Sequence, residues 1–389
     1  MLRSRLVVRN GEVLTPQGLE KTDLGLAMTG NGSAFTFDPT GGAQVMDASG
    51  LLVLPGLIDV HGDAFERQIM PRPGVGFALD LALMETDRQM AANGITTAFH
   101  GVTRSWEPGL RDLAHARGLL EAMERLGPHL TVDTRFHLRH ETFTLDDEDE
   151  ILDWIGSRRI GALAFNDHMT GTIKVRHRPD KMAKMVERSG LGAVEFGKLV
   201  DRVAARADEV PASIERLAAA AQATGVPAMS HDDMSVAQRC WYRSLGVGIA
   251  EFPLTDEVAA AASRSGEPVV FGAPNVVRGG SHTGCPDAAQ MVLKGWGSVL
   301  ASDYFYPALL QAPFILQRRH GLPLEQAWRV VSANAALALG LTDRGEIVPG
   351  KRADLVVVQA TPDLPARVVA TIADGRLVYL ADGGLLSAA

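Results

Sequence analysis

Two cysteines, Cys240 and Cys285, are all that 389 residues contain. That is too few for a disulfide framework, so a reducing, cytoplasmic setting is the expectation. Positive charge is short as well. The 38 Lys and Arg stand against 46 Asp and Glu, a formal net charge of −8, which speaks against a generic nucleic-acid surface. No run of about 18 uncharged apolar residues occurs, so no membrane span is expected. The opening MLRSRLVVRNGEV carries arginines but no apolar h-region, so no signal peptide is read. No G-x-G-x-x-G follows the first expected strand, which argues against a doubly wound dinucleotide-binding sheet. What remains, 46% hydrophobic and 22% charged residues, is an ordinary globular composition, long enough for one large α/β barrel and a small satellite.

The stretch Leu51 to Glu66, LLVLPGLIDVHGDAFE, organises the chain. Its continuous apolar run suits a strand buried on both faces, as in a parallel sheet. His61 and Asp63 follow at once. Residues two apart in an extended chain point to the same side, so one imidazole and one carboxylate meet at a strand end. Such a pair suits a divalent metal ion. A solvated loop with a chance His and Asp is the bland alternative, and the recurrence of His and acidic residues downstream argues against it.

Further strands are expected at Val53–Val60, Ile95–Val102, Thr131–Leu138, Ile160–Phe165, Val226–Ser230, Gly248–Phe252, Pro268–Gly272 and Ser298–Ser302. Helical patterns such as Leu79–Ala92, Leu110–Leu126, Ser213–Ala223 and Asp256–Ser265 lie between them. Eight strands alternating with helices predict an α/β fold, a (β/α)8 TIM barrel. Short Gly-rich strands at both chain ends predict one small β-sandwich. It includes a strand pair with a turn at Asn10-Gly11 and a hairpin over Val368–Leu380 turning at Asp374-Gly375. The expected division is 1–54 and 344–389 in the sandwich and 55–343 in the barrel. A charged insertion at about 169–211 holds a helix and covers the barrel mouth.

Ionisable residues recur just after the expected strands: His61 and Asp63, His100, then His137, His140 and Glu141 in HLRHE. Asn166, Asp167 and His168 follow, then His231, Asp232 and Asp233, Glu251, Arg278 to His282, and Asp303. A barrel keeps its active site at these strand ends. His100 on an apolar strand reads better as a core residue than as a ligand. His140 faces away from His137 and Glu141 by strand parity and reads as a buried, hydrogen-bonded His.

The string LPGLIDVHGD resembles the opening metal motif of the amidohydrolase superfamily, with Asp63 in place of its second His. GKRADLVVV at Gly350 to Val358 resembles that superfamily's closing motif, so the likeness spans nearly the whole chain. It implies two divalent ions, Zn2+ in preference to Mn2+, held by His61, Asp63, His168, His231 and Asp303. Glu141 is the expected bridging anion, because no Lys ends the third or fourth strand. His137 and His140 remain alternatives there. His168 and His231 follow strands four and five, one strand earlier than the superfamily pattern. Asp303, in LASDYF, resembles the catalytic Asp that orients an attacking water and takes its proton.

The same ligands serve carbon or phosphorus electrophiles. The segment GAPNVVRGGSHTG favours phosphorus. Gly279 and Gly280 permit a backbone anion nest, and Arg278, Ser281 and His282 add donors. Asp232 and the insertion's Lys174 are further expected substrate contacts. GAPNVVRGGSH, SHDD, ASDYFYPALL and PRPG together resemble a diphosphatase subgroup of the carbon–phosphorus lyase pathway. That likeness implies pyrophosphate release from a phosphonate-bearing ribose triphosphate. A C–N hydrolase of the same fold is the main rival, and a barrel that binds without chemistry is a third reading. The expected partner is a small phosphorylated substrate, with no nucleic acid and no membrane. A homo-oligomer is left open.

Overall fold

The computed structural model describes residues 4–388 apart from Gly30, Asn31, Asp38, Thr40, Gly41, Pro73, His282 and Thr283. Its largest sheet has eight strands in chain order. They are β1 (Leu57–Gly62), β2 (Ile95–Arg104), β3 (Asp133–Glu141), β4 (Ala162–Asn166), β5 (Ala228–His231), β6 (Ile249–Glu251), β7 (Val269–Gly272) and β8 (Val299–Ala301). The pairs from β3 to β7 are all parallel. Parallel neighbours need a crossover, and helices supply it. Leu79–Ala92, Leu113–Leu126, Glu148–Gly156, Val210–Thr224, Val236–Ser244, Asp256–Arg264 and Ala288–Leu293 fall between successive strands. Pro307–His320 follows the last strand.

The ends of the sheet meet. Asp63 N–H donates to Asp303 O and Asp303 N–H donates to His61 O, each at 2.9 Å. Gly62 and Asp303 form a parallel bridge. The result is a nearly closed (β/α)8 barrel, as the alternation of elements predicts. The seam runs through the residues of the opening motif. Gly62 has no room for a side chain, since an added Cβ would lie 2.6 Å from Asp59 Oδ2. The buried Asp59 accepts from Ser302 Oγ at 2.5 Å and Ser302 N–H at 2.9 Å, tying β1 to the chain just after β8.

The chain divides into two compact units, Met1–Ala98 with Gly127–Thr134 and Phe271–Ala389, and Phe99–Leu126 with Arg135–Val270. The first unit carries two further sheets, of five and six strands, and each draws on both chain ends. They share one apolar core that includes Leu24, Phe35, Met46, Val53, Leu355 and Ile372, so the expected sandwich is present. Its hairpin turns at Asp374 and Gly375, both with positive φ, as a tight two-residue turn demands.

Two local expectations are corrected. The apolar run Val53–Val60 is not one strand. Leu52–Pro55 belongs to the six-stranded sheet, antiparallel to Leu355–Gln359, and the barrel strand starts only at Leu57. The break falls at Gly56, where a Cβ would sit 2.4 Å from Thr96 Oγ1. Asn10-Gly11 is no hairpin turn either. Ser4–Arg9 lies in the five-stranded sheet and Glu12–Thr15 in the six-stranded one, so the dipeptide is a corner between layers.

In the second unit the charged insertion forms three helices where one was expected: Met169–Val175, Pro179–Ser189 and Ala193–Ala204. Met169, Met182, Phe196 and Val200 close a small core of their own beneath the charges. No described helix is long and apolar enough to cross a membrane.

Candidate metal centre

In the first unit, β1 carries the buried His61 one residue before its end, and Asp63 follows the strand half-buried. Asp303 follows β8 in the left-handed region, with φ 55°, a conformation costly for a side chain other than glycine and concentrated at functional sites. Its carboxylate oxygen lies 3.4 Å from where a Cβ on Gly272 would stand, so a small residue at the end of β7 leaves it room.

Arg278 is exposed at the end of a helix, Ala273–Arg278, with Nη1 3.5 Å from the Tyr304 hydroxyl. The two glycines after it are corrected. Gly279 N–H donates to Val276 O at 3.2 Å and Gly280 N–H to Asn275 O at 2.9 Å. They cap the helix C-terminus, and their amides are not turned outward as an anion nest. Ser281 Oγ accepts from Cys285 N–H at 3.1 Å. His282 lies outside the described residues.

In the second unit, β3 places His137, Arg139 and Glu141 at alternate positions, all buried. Glu141 accepts from His168 N–H at 3.1 Å, and His168 Nδ1 lies 2.5 Å from its carboxylate. Burial pushes the Glu141 carboxyl up, but the bonds and charge of His168, with the charge of Arg139, outweigh it and hold it below the usual range. His168, with a side chain 43% exposed, is raised by its bond to Glu141 against the opposing effect of burial.

At the end of β5, His231 Nδ1 is 3.0 Å from Asp232 Oδ2 and Nε2 is 3.9 Å from Glu251 Oε2. His137 Nε2 is 4.0 Å from the same Glu251 oxygen. Asp232 also takes a left-handed φ of 62°, which brings its carboxylate to 3.8 Å from His168 Nε2. Asp233 turns away. Buried, it accepts from Ser230 Oγ at 2.5 Å and lies 3.5 Å from Arg239 Nη1, so it supports the site's architecture.

Among the described residues, the buried strand-end donors suited to a metal ion are His61 in the first unit and His231 and Glu251 in the second. Two imidazoles and a carboxylate are a donor set suited to zinc, and a divalent ion offsets the cost of burying the carboxylate. The set contains His61 and His231 from the expected ligands and leaves out Asp63, Glu141, His168 and Asp303. Glu251 was visible as a strand-end carboxylate but had no ligand role. The strand count itself stands, since all eight expected strands are present. Strands five and six, where the superfamily pattern has its two single histidines, therefore offer His231 and Glu251.

Other positions differ in smaller ways. Lys174 is exposed on the helix Met169–Val175. His100 is buried in β2. His140 is buried, but neither ring nitrogen has a hydrogen-bond partner, contrary to the bonded His expected. Burial first, then the charge of Arg104, lowers its pKa to about 4.

Residues 78–379 match the amidohydrolase family, and the chain belongs to that family. The family and fold define a hydrolase of the amidohydrolase superfamily, a class that binds divalent metal. Within it, the chain is 32% identical to the alpha-D-ribose 1-methylphosphonate 5-triphosphate diphosphatase of Escherichia coli (strain K12), over 81% of this chain and 85% of that protein. It is 28% identical to an adenine deaminase of Methylobacterium nodulans, over 96% of this chain but 58% of the deaminase. Among solved structures, an amidohydrolase from a Sargasso Sea environmental sample has a TM-score of 0.62 at 15% identity, covering 96% of this chain and 93% of that one. A Xaa-Pro dipeptidase has a TM-score of 0.62 at 13% identity, covering 96% and 99%. These two likenesses establish the fold.

Proposed function

We propose that the protein is a metal-dependent phosphoanhydride hydrolase that releases pyrophosphate from alpha-D-ribose 1-methylphosphonate 5-triphosphate. The observation that carries the substrate is the 32% identity to the Escherichia coli diphosphatase across 85% of its length. The two adenine deaminases that match 96% of this chain do so at 28% and 27% identity and over 58% of their own length.

His61, His231 and Glu251 would hold the ion. A bound divalent ion makes water ionisable near pH ~7 instead of ~16. Asp303 is the carboxylate that takes the water's proton and returns it to the leaving oxygen. Its backbone bonds across the barrel seam fix where that carboxylate starts. Arg278 supplies a guanidinium suited to phosphate oxygens.

Elemental analysis tests the ligands. A His61→Ala/His231→Ala double variant is expected to lose the bound ion, and undiminished metal would remove both residues from the centre. The substrate is tested by incubating metal-loaded protein with ribose and nucleoside triphosphates, with adenine and with N-acyl compounds. Pyrophosphate from the ribose triphosphate is the expected product. Ammonia from adenine with no pyrophosphate would favour the second reading, a C–N hydrolase, which the deaminase matches support.

Arg278→Ala is expected to lower kcat/KM for the triphosphate by roughly ten- to a hundred-fold, the loss of one charge-assisted contact. A neutral substrate should be barely affected. The protein is acidic overall, so cations at the site must offset repulsion of an anionic substrate, and added salt should weaken its capture. Equal kcat/KM for both proteins on the triphosphate would make Arg278 a surface residue without a role in binding.

A further inference from the structure

We infer that Asn166 is a further substrate-binding residue, whose carboxamide donates to an oxygen of the phosphoryl group on which the chain acts. The inference rests on the phosphoanhydride reading above and adds a residue to it. Asn166 ends β4 and is 1% exposed. Neither its Nδ2 nor its Oδ1 has a hydrogen-bond partner among the described residues.

The strand register fixes which way it faces. On β3, His137, Arg139 and Glu141 lie on one side. His137 Nε2 is 4.0 Å from Glu251 Oε2 on β6, and Arg139 Nη2 is 3.3 Å from His231 Nε2 on β5. Contacts that skip a strand form on the concave side of a curved sheet, so this is the inner face. The β4 residues paired with these three are Ala162, Ala164 and Asn166. The two alanines are small enough to let the β3 side chains cross, and at the third level the strand carries an amide instead. Phe165 pairs with Ser230, and His231 with Glu251, so Asn166 is level with His231 as well. One layer thus runs Glu141, Asn166, His231, Glu251 across four strands of the second unit. His168 and Asp232, just beyond it in the chain, have side chains 43% and 35% exposed. The layer therefore lies directly beneath the open end of these strands.

A buried amide without a partner is destabilising, whereas an apolar group of the same shape is not. Leu at position 166 would continue the apolar run Ala162–Phe165 without that cost. What the amide adds is a donor and an acceptor that carry no charge. Glu141 and Glu251, when ionised, only accept hydrogen bonds, and they repel an anion. A phosphoryl oxygen brought to this layer needs a donor, and Asn166 Nδ2 is one that no described group claims.

The test compares wild type with Asn166→Leu, which removes the amide and nearly keeps its size. Inorganic tripolyphosphate, the anionic part of the proposed substrate, is the probe. Without it, Asn166→Leu is expected to melt at the wild-type temperature or above, with unchanged metal content. Stabilising the variant should take roughly ten- to a hundred-fold more tripolyphosphate than wild type needs, the loss of one hydrogen bond to a charged group. The kcat/KM for the ribose triphosphate should fall by the same factor. Asn166→Asp, of the same shape but without the donor, should lose affinity at least as far. A lower melting temperature for Asn166→Leu without the probe would show that the amide is bonded within the protein, and would overturn the inference. A wild-type response to tripolyphosphate in either variant would also overturn it, and would leave the phosphoanhydride reading intact. Absence of pyrophosphate release by wild type would fail that reading, and absence of any tripolyphosphate response would fail the inference with it.

Discussion

Asp303→Asn is expected to keep the bound ion and to lose turnover by about 10²–10⁴-fold, the usual contribution of a positioned acid–base group. An amide has nearly the shape of a carboxylate but cannot take a proton from water. The backbone should tolerate the change. Asp303 sits at φ 55°, a region that Asn enters about as readily as Asp. Its seam hydrogen bonds are made by its main chain, so the barrel stays closed. The loss should therefore fall on kcat with KM nearly unchanged, because the group is used in the transition state and not for binding. The measurement is a pair of pH–rate profiles beside metal content and a thermal melt. A variant with near-wild-type kcat across pH would make Asp303 structural, and another base would have to be found.

Arg239→Ala is expected to cost stability by about 3–5 kcal/mol, the range for breaking a buried ion pair and leaving its partner uncompensated. The Arg239 side chain is fully buried. Its guanidinium donates to Ile249 O at 3.1 Å and Glu267 Oε1 at 3.3 Å, and also to Ser230 Oγ and Val247 O. Asp233, buried as well, lies 3.5 Å away. One side chain thus holds the end of β5 to the start of β6, the two strands that present His231 and Glu251. Arg243 still pairs with Glu267, so Asp233 is the carboxylate left most exposed to the change. Denaturant titration with wild type alongside measures the loss. A shift below about 1 kcal/mol would mean that water or a repacked neighbour replaces the guanidinium. Catalysis should fall with stability, because Asp232 and His231 adjoin the disturbed turn.

Patterns of short range were legible in the chain. A short apolar run that is flanked by turn residues and alternates with helical patterns reads as a buried strand of a parallel sheet. For that reason β2 to β8, the helix Leu79–Ala92 and the Asp374-Gly375 turn can be read from sequence alone. The strand-end positions of His61, His231, Glu251 and Asp303 follow in the same way, because ligands at strand ends need only the alternation of elements to be noticed.

What depends on distant partners was not legible. Leu52–Pro55 has a barrel strand's composition, and only its pairing with Leu355–Gln359 assigns it to the sandwich. Gly279-Gly280 has the composition of an anion nest, but the helix before it claims both amide protons. Nothing in the sequence pairs His168 with Glu141, yet in the fold the His168 backbone N–H and Nδ1 both meet that carboxylate. Composition and periodicity therefore determined the barrel and the strand ends at which chemistry can occur. Which strand-end groups meet one another, as His168 meets Glu141 and His231 meets Asp232, was decided by tertiary structure. Charge compensation depends on distances of a few ångströms between residues far apart in the chain.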